Sequence, residues 1–380
     1  MIGSRTRRRR IAFIGVGVGM PTDKSSGPGI PTVYVLLQKL SEQFEIVIYS
    51  LIRIRADEAP NRIKVRQVTS RHLPVRIKYL LLLLRLIFDH LHKSFDLIQS
   101  VSAFPAGRMV VVLGKILRIP SVVQLIGSEI VKMPDIGYGD LLQPRLDKIT
   151  RWVCKKADAL IVMSEYQKRI AELNLGLSRA ISILPLRIDV EKFPYRERRI
   201  SFPIEFLYIA AYLPVKDPET LFRAFATIVK SIPAHLTVIG EGFHVTPVKE
   251  MLIDLEIIDH VNLVGVVRNE ELTNYFAKAH ILLHAARYES GCGVAQEAMA
   301  SGVPVCMTEV GILADLGSSY AVVVPPHNPD ELAKRTLELI ADPERYLRHQ
   351  KLARDYIFRY DVEWAAKQYQ ELFEKLIVNS

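Results

Sequence analysis

Two doubly wound parallel α/β sheets in tandem are the architecture that the sequence predicts. Three observations carry it. Short β-branched runs alternate with longer helical patterns through the first half of the 380 residues, the alternation stops at a charged stretch over 187–200, and it then starts afresh. The length agrees, because 380 residues exceed what one hydrophobic core ordinarily serves, and an apolar content of 49% suits well-packed layers.

In the first half, residues 11–14 read as a buried strand, 15–29 as a glycine-rich loop, 31–43 as a helix and 46–49 as a second strand, which makes one βαβ unit. Strands at 96–100, 121–125, 160–163 and 181–184 follow, with helices at 106–117 and 141–155 between them. The stretch 187–200 has Pro194 and no clear period, as an interdomain linker would. Strands then recur at 206–209, 236–239, 261–264, 281–284, 305–307 and 321–324, with helices starting near Pro218, Thr246, Asn269, Cys292 and Asp330. After a break at 358–361, a last helix over 362–377 shows an apolar stripe through Trp364, Tyr369, Leu372 and Leu376 and must dock on something. Ligands bind such sheets at the carboxyl ends of their strands, so a cleft between the two domains is the expected site.

Lys and Arg exceed Asp and Glu by 50 to 41, a formal charge of +9 that favours an anionic partner. No aromatic-and-basic motif for nucleic acid appears, and the run from Arg7 to Arg10 ends where the first strand begins, so nucleic acid is not expected. The three cysteines, Cys154, Cys292 and Cys306, are scattered without CxxC spacing, which fits a reducing cytoplasm. The apolar run at 11–20 is short and broken by glycines, and the one at 79–88 carries Arg85 and is too short to span a bilayer. Residues 76–93 nevertheless mix Arg76, Lys78, Arg85 and Lys93 with leucines at helical spacing. That helix either lies on anionic lipid, making the protein peripheral on the inner face of the cell membrane, or packs on the first sheet with its charged face in water.

The chemistry concentrates after the strand at 281–284. Glu289, Ser290, Gly291, Cys292 and Gly293 lead into a helix over 294–300 that Gly302 and Pro304 end. Glycines allow close backbone approach to a ligand, and the unsatisfied amides of a helix start attract phosphate oxygens. Glu289 would lie beside that anion site, and Glu297, one turn into the helix, could accept hydrogen bonds from ribose hydroxyls. Two carboxylates next to a phosphate cradle suit a hydroxyl-rich anionic ligand.

Glu289 and Glu297, with seven residues between them inside 285–315, and the run Glu297-Ala298-Met299-Ala300-Ser301-Gly302-Val303-Pro304-Val305, resemble the signature of family-4 retaining glycosyltransferases. Residues 157–165, 239–242 and 264–266 extend the likeness in order over nearly the whole chain. The resemblance implies the GT-B fold, two Rossmann-like doubly wound parallel-sheet domains facing a cleft. It implies an acceptor domain over 1–190, a donor domain over 200–360, and a C-terminal helix over 361–380 packing back on the first domain. Glu289 would touch the donor sugar, the amides of Gly291, Cys292, Gly293 and Val294 would hold sugar and phosphate, and Glu297 would bind the ribose.

Lys216 stands where the family commonly places a diphosphate-binding arginine and lysine, but Ala211, Tyr212 and Leu213 occupy the arginine's place. Arg187 and Arg287 are candidates to replace that charge. Gly27 and Gly29 loosely match the family's loop over the donor phosphates and acceptor. This glycine-rich segment is not a dinucleotide fingerprint, because the loop is long and no acidic residue follows the second strand at Tyr49 and Ser50. Ile126 takes the place of a family histidine, while Gly127 and Glu129 either line the cleft or are explained by a helix cap at Ser128. His284 reads as a structural histidine.

With no Asp-x-Asp pair after a strand, neither an obligatory metal nor another cofactor is expected. The expected partners are a nucleotide-diphosphate sugar, a glycan or lipid-linked acceptor and an anionic membrane surface. Two other functions fit the same residues: a nucleotide-sugar epimerase or hydrolase, and a catalytically silent donor-binding subunit.

Overall fold

The computed structural model describes residues 7–15, 30–51, 63–68 and 73–379. The chain divides into two compact units, Met1–Arg187 with Val362–Ser380, and Ile188–Asp361. The first contains β1 (Arg10–Ile14), α1 (Pro31–Leu40), β2 (Glu45–Ser50), β3 (Ile63–Gln67), α2 (Val75–His92), β4 (Leu97–Val101), α3 (Arg108–Leu117), β5 (Ser121–Gln124), α4 (Pro144–Lys156), β6 (Ala159–Val162), α5 (Glu165–Leu175) and β7 (Ser182–Ile183). The second contains β8 (Ile204–Ile209), α6 (Pro218–Ser231), β9 (Ala234–Ile239), α7 (Thr246–Asp254), β10 (Val261–Gly265), α8 (Leu272–Lys278), β11 (Ile281–His284), α9 (Gly293–Ala300), β12 (Val305–Thr308), α10 (Gly311–Leu316), β13 (Val322–Val324), α11 (Pro329–Ile340) and α12 (Pro343–Arg359). The last helix, α13 (Val362–Val378), returns to the first unit.

Among the described residues the first sheet has seven strands in the order β3-β2-β1-β4-β5-β6-β7, and the second has six in the order β10-β9-β8-β11-β12-β13. Every pairing within them is parallel. Helices cover both faces of such sheets, which is why β1, β4 and β11 are unbroken buried runs such as Ile281-Leu282-Leu283-His284. In each sheet the strand order reverses once, between β1 and β4 and between β8 and β11. Loops leaving the two strands at such a point diverge and open a crevice for a ligand.

The sequence pattern misses β3, a half-exposed edge strand, and three helices, α5, α10 and α12. It also starts two helices early. The segment Ala103–Gly107 forms a separate wide turn before α3, and Asp140–Leu142 a short 3-10 turn before the proline that opens α4. The buried stripe of α13 runs through Val362, Ala365, Tyr369, Phe373 and Ile377. Tyr369 was expected there, whereas Trp364 stays half-buried at its margin and Leu372 and Leu376 are only partly covered. Tyr369 donates its hydroxyl to the Leu184 carbonyl at 3.0 Å, and Phe373 packs edge-on to Phe44 with ring centroids 5.8 Å apart. These contacts tie α13 into the first core.

The charged stretch at 187–200 is not merely a tether. Arg198 is buried in the second unit, and its guanidinium donates to the carbonyls of Ala279 at 2.8 Å, Phe276 at 2.6 Å, Arg196 at 2.6 Å, and Ser301. Phe276 and Ala279 lie at the end of α8 and Ser301 caps α9, so one cation satisfies orphan carbonyls of two helices and complements both dipoles. Gln350 of α12 closes the arrangement through two hydrogen bonds of 2.9 Å to the Arg198 backbone. Arg198→Ala should therefore destabilise the second unit by about 3 kcal/mol, since the carbonyls would stay buried without their donor. Urea denaturation followed by tryptophan-independent circular dichroism measures the change, and a loss under about 1 kcal/mol would show the clamp to be dispensable.

Candidate active site

The second unit gathers its polar residues at the carboxyl ends of β8, β11 and β12. After β8, residues 210–213 lead into the short 3-10 turn Pro214–Lys216, and Asp217 then adopts a left-handed conformation (φ 45°) to cap α6 through Thr220. After β11 the chain runs from Ala285 to Cys292 before α9. The two loops are joined directly, because the Arg287 amide donates to the Val215 carbonyl at 2.8 Å.

Glu289 is the meeting point. Its Oε1 accepts from Lys216 Nζ and lies 3.0 Å from His284 Nε2. Burial alone would raise the Glu289 carboxyl, but the Lys216 charge and the His284 hydrogen bond overcome it and hold the group at about 2. Glu289 is thus ionised at any physiological pH. His284 is 1% exposed at the end of β11, and its other nitrogen, Nδ1, has no hydrogen-bond partner among the described residues. A neutral His284 therefore carries its proton on Nε2, toward the carboxylate. Its burial fits a structural histidine, and the structure adds a direct hold on Glu289.

Gly311, the first residue of α10, is what lets Glu289 sit so close to the next loop. It has φ +61°, and a β-carbon there would meet the Glu289 β-carbon at 3.0 Å and the carbonyls of Glu289 and Ser290 at 3.2 Å.

The helix start departs from the expected division of labour among its residues. The left-handed residue of the turn is Cys292 (φ 44°), a conformation that costs a side-chain-bearing residue about 1 kcal/mol. Its thiol is buried and pushed well up from the ordinary range, so it is protonated near neutral pH. His284, Glu289 and Cys292 have ligand-type atoms within 4.8 Å of one another, and the Glu289 carboxylate among them is engaged by Lys216. Gly291 is buried, its carbonyl accepting from Gln296 Nε2 at 3.1 Å, while Gly293 and Val294 are partly open at the first turn of α9.

Glu297 lies on α9 and is 8% exposed. Burial pushes its carboxyl up to about 7, and a hydrogen bond with the Asn269 side chain pulls it back only in part. Asn269 follows β10, far from Glu297 in sequence, and no motif spacing links the two.

The remaining candidates fall elsewhere. Tyr212, in the place of the absent arginine, donates its amide to the Glu241 carbonyl at 2.8 Å and stacks edge-on with Phe243. This loop crosses tightly over Gly240, where a β-carbon would overlap the Ala210 carbonyl oxygen at 1.7 Å. Arg287 is half-buried in the loop after β11. Arg187 is buried in the first unit with its guanidinium 5.8 Å from the centroid of the Trp364 ring. Glu129 folds its carboxylate back onto its own turn, accepting from the amides of Gly127 at 2.7 Å and Ile126 at 3.4 Å. The Ser128 hydroxyl donates to Asp140 at 2.8 Å and caps no helix, so the turn is held by Glu129 instead. Gly27 and Gly29 lie outside the described residues.

The parallel α/β units with a polar cluster at the second sheet's reversal define a GT-B type glycosyltransferase fold. A family model described as "Glycosyl transferases group 1" matches residues 191–356, and one described as "Glycosyltransferase Family 4" matches 32–192. The two matches place the chain among glycosyltransferases of this group-1 and family-4 type. An uncharacterized glycosyltransferase of Methanocaldococcus jannaschii is 28% identical over 255 residues, 66% of this chain and 67% of the relative. Among solved structures, sucrose-phosphate synthase from Thermosynechococcus elongatus aligns over 98% of this chain and 100% of its own at TM-score 0.82 and 21% identity. Anabaena HepE in complex with UDP-glucose aligns over 96% and 99% at TM-score 0.75 and 15% identity.

The raised Glu297 carboxyl has a thermodynamic signature. The folded chain keeps a proton that the unfolded chain releases between the ordinary value of 4.5 and about 7, so this group's contribution to stability is full below 4.5 and is lost as pH rises toward 7. Glu297→Gln removes the ionisation, and its melting temperature should exceed the wild-type value by roughly 5 °C more at pH 8 than at pH 4.5. A pH-independent difference in differential scanning calorimetry would contradict the burial assigned to this carboxyl.

Proposed function

We propose that the protein is a retaining glycosyltransferase that takes a nucleotide-diphosphate sugar and passes the sugar to a hydroxyl of a glycan or lipid-linked acceptor. The observation that carries this reading is the pairing of Lys216 with an ionised Glu289 at the sheet reversal, one loop before the open start of α9. A cation and a helix start suit a diphosphate, and a permanently charged carboxylate suits sugar hydroxyls. The UDP-glucose held by the HepE structure is consistent with a donor of this class.

In this mechanism the first-turn amides of α9, at Gly293 and Val294, take phosphate oxygens, with Gly291 and Cys292 shaping the turn. Lys216 leans from Glu289 toward the diphosphate and stabilises the charge that grows on it as the sugar departs. Glu297, deprotonated above about pH 7, accepts from the ribose hydroxyls in place of Asn269. Arg287, half-buried in the same β11 loop as Glu289, is the residue assigned the charge that Tyr212 lacks. Attack comes from the face the leaving group vacates. The anomeric carbon's bond to phosphate oxygen breaks, a bond to the acceptor oxygen forms on the same side, and the acceptor proton passes to the departing phosphate oxygen. Charge stabilisation comes from side chains and amides, without an obligatory metal.

Thermal-shift measurements with UDP-, GDP- and ADP-sugars test the donor site. At least one should raise the melting temperature of the wild type, and the rise should vanish for Glu297→Ala and shrink for Lys216→Ala. Stabilisation by none of the donors would sink the proposal. Proton NMR of the first-formed product with the stabilising donor then reads the anomeric configuration, and an inverted product would remove the retaining mechanism.

A further inference from the structure

The helices α2, α3 and α4 lead from β3 to β4, from β4 to β5 and from β5 to β6. All three crossovers step the same way across a parallel sheet, so right-handed connection puts these helices on one face, opposite α1. Their composition is unlike the rest of the chain. They contain ten Lys and Arg against two Asp, leaving +8 of the protein's +9 on one layer. Both aspartates are taken up by cations, Asp89 being buried and bonded to Tyr49, Arg66 and Arg85, and Asp147 being paired with Arg151 at 2.8 Å, so these helices offer no further acid to the other eight cations.

The same layer exposes an apolar stripe. α2 buries only Leu82, Leu86 and Asp89, and turns Ile77, Leu80, Leu81, Leu84, Phe88 and Leu91 outward, Leu91 to 77% exposure. The side of α2 away from the sheet is therefore apolar rather than charged, with Arg76 exposed and Lys78 half-exposed beside it and neither ion-paired among the described residues. On the same face of the sheet, α3 and α4 form an open pocket of ≈ 350 Å³ lined by Arg108, Val112, Lys148, Ile149 and Trp152, with Lys115 Nζ 5.8 Å from the Trp152 ring centroid.

We propose that this helix layer docks in the plane of an anionic lipid bilayer. The α2 stripe enters the boundary between headgroups and acyl chains, and the flanking cations meet lipid phosphates. The pocket of Arg108 and Lys148 seats one headgroup phosphate, with Trp152 at the interfacial depth that its amphipathic ring favours. The charge identifies the occupant. A second copy of this chain would bring another strongly cationic layer against the first, and nucleic acid offers no match for six outward aliphatic and aromatic side chains. The helix lies flat, since no helix among the described residues is long and apolar enough to cross a membrane.

Flotation of the full chain with vesicles of phosphatidylcholine alone, or mixed with phosphatidylglycerol, reads the interaction. Binding should be about tenfold stronger to the anionic vesicles and should weaken with salt. Leu80→Glu with Leu84→Glu should reduce it by about tenfold or more, and Arg108→Glu with Lys148→Glu should reduce binding to anionic vesicles only. All four side chains are outside the core, so unchanged melting temperatures accompany these losses. Equal binding by wild type and the leucine variant overturns the proposal, as does failure to bind either vesicle. Light scattering that finds a wild-type dimer and a monomeric leucine variant assigns the face to self-association instead, and tight, salt-sensitive binding of a nucleic-acid duplex that the leucine variant retains assigns it to nucleic acid.

Discussion

One buried guanidinium organises the second unit of this molecule. Arg198 faces carbonyls at the ends of α8 and α9, and its own backbone is gripped by α12. Helix ends are costly to bury because their last carbonyls have no partner within the helix. By meeting that need for two helices at once, Arg198 secures both α8 and α9, the helix that carries Glu297 and follows the loop of Glu289. The amino-terminal end of α9, opposite the clamp, is left with its amides directed toward the strand ends.

The two glutamates share a neighbourhood and differ in charge state. Both are desolvated, which favours the neutral acid. Lys216 and His284 reverse that for Glu289 and keep it charged, whereas Glu297 has only the neutral Asn269 and titrates near 7. A cation from the adjoining β8 loop thus separates a fixed negative charge from a switchable one. The fixed charge is also geometrically fixed, since the turn after β8, the end of β11 and the start of α10 each contribute a residue to its surroundings in Lys216, His284 and Gly311.

The sequence makes most of the fold legible because fully buried parallel strands are conspicuous. Residues 281–284 coincide with β11 to the residue, and the tandem of two parallel sheets follows from alternation alone. What escapes is polar or amphipathic in ways that resemble loop. β3 alternates charged and apolar residues at an edge, and α12 has a charged face long enough to mask its buried Tyr346, Ala353 and Ile357. At the candidate site, spacing within one helix start exposes Glu289 and Glu297 together. Partners from other strands have no such signature: His284 looks like any core histidine, and Asn269 and Arg198 reach their partners only once the sheet is assembled. The turn at Glu129 shows the reverse difficulty, because a carboxylate bonded to its own loop amides looks in sequence like one facing a ligand.

The return of α13 to the first unit bears on how the chain comes into being. Tyr369, Phe373 and Ile377 belong to the first core, yet the ribosome makes them only after all of the second unit has been synthesised. The first sheet must wait with that side of its core exposed while the second folds. Its completion therefore waits until the second unit has been made, so a chain stalled before α13 would present the uncovered groove beside Phe44 and Leu184 to quality-control factors that recognise exposed apolar surface.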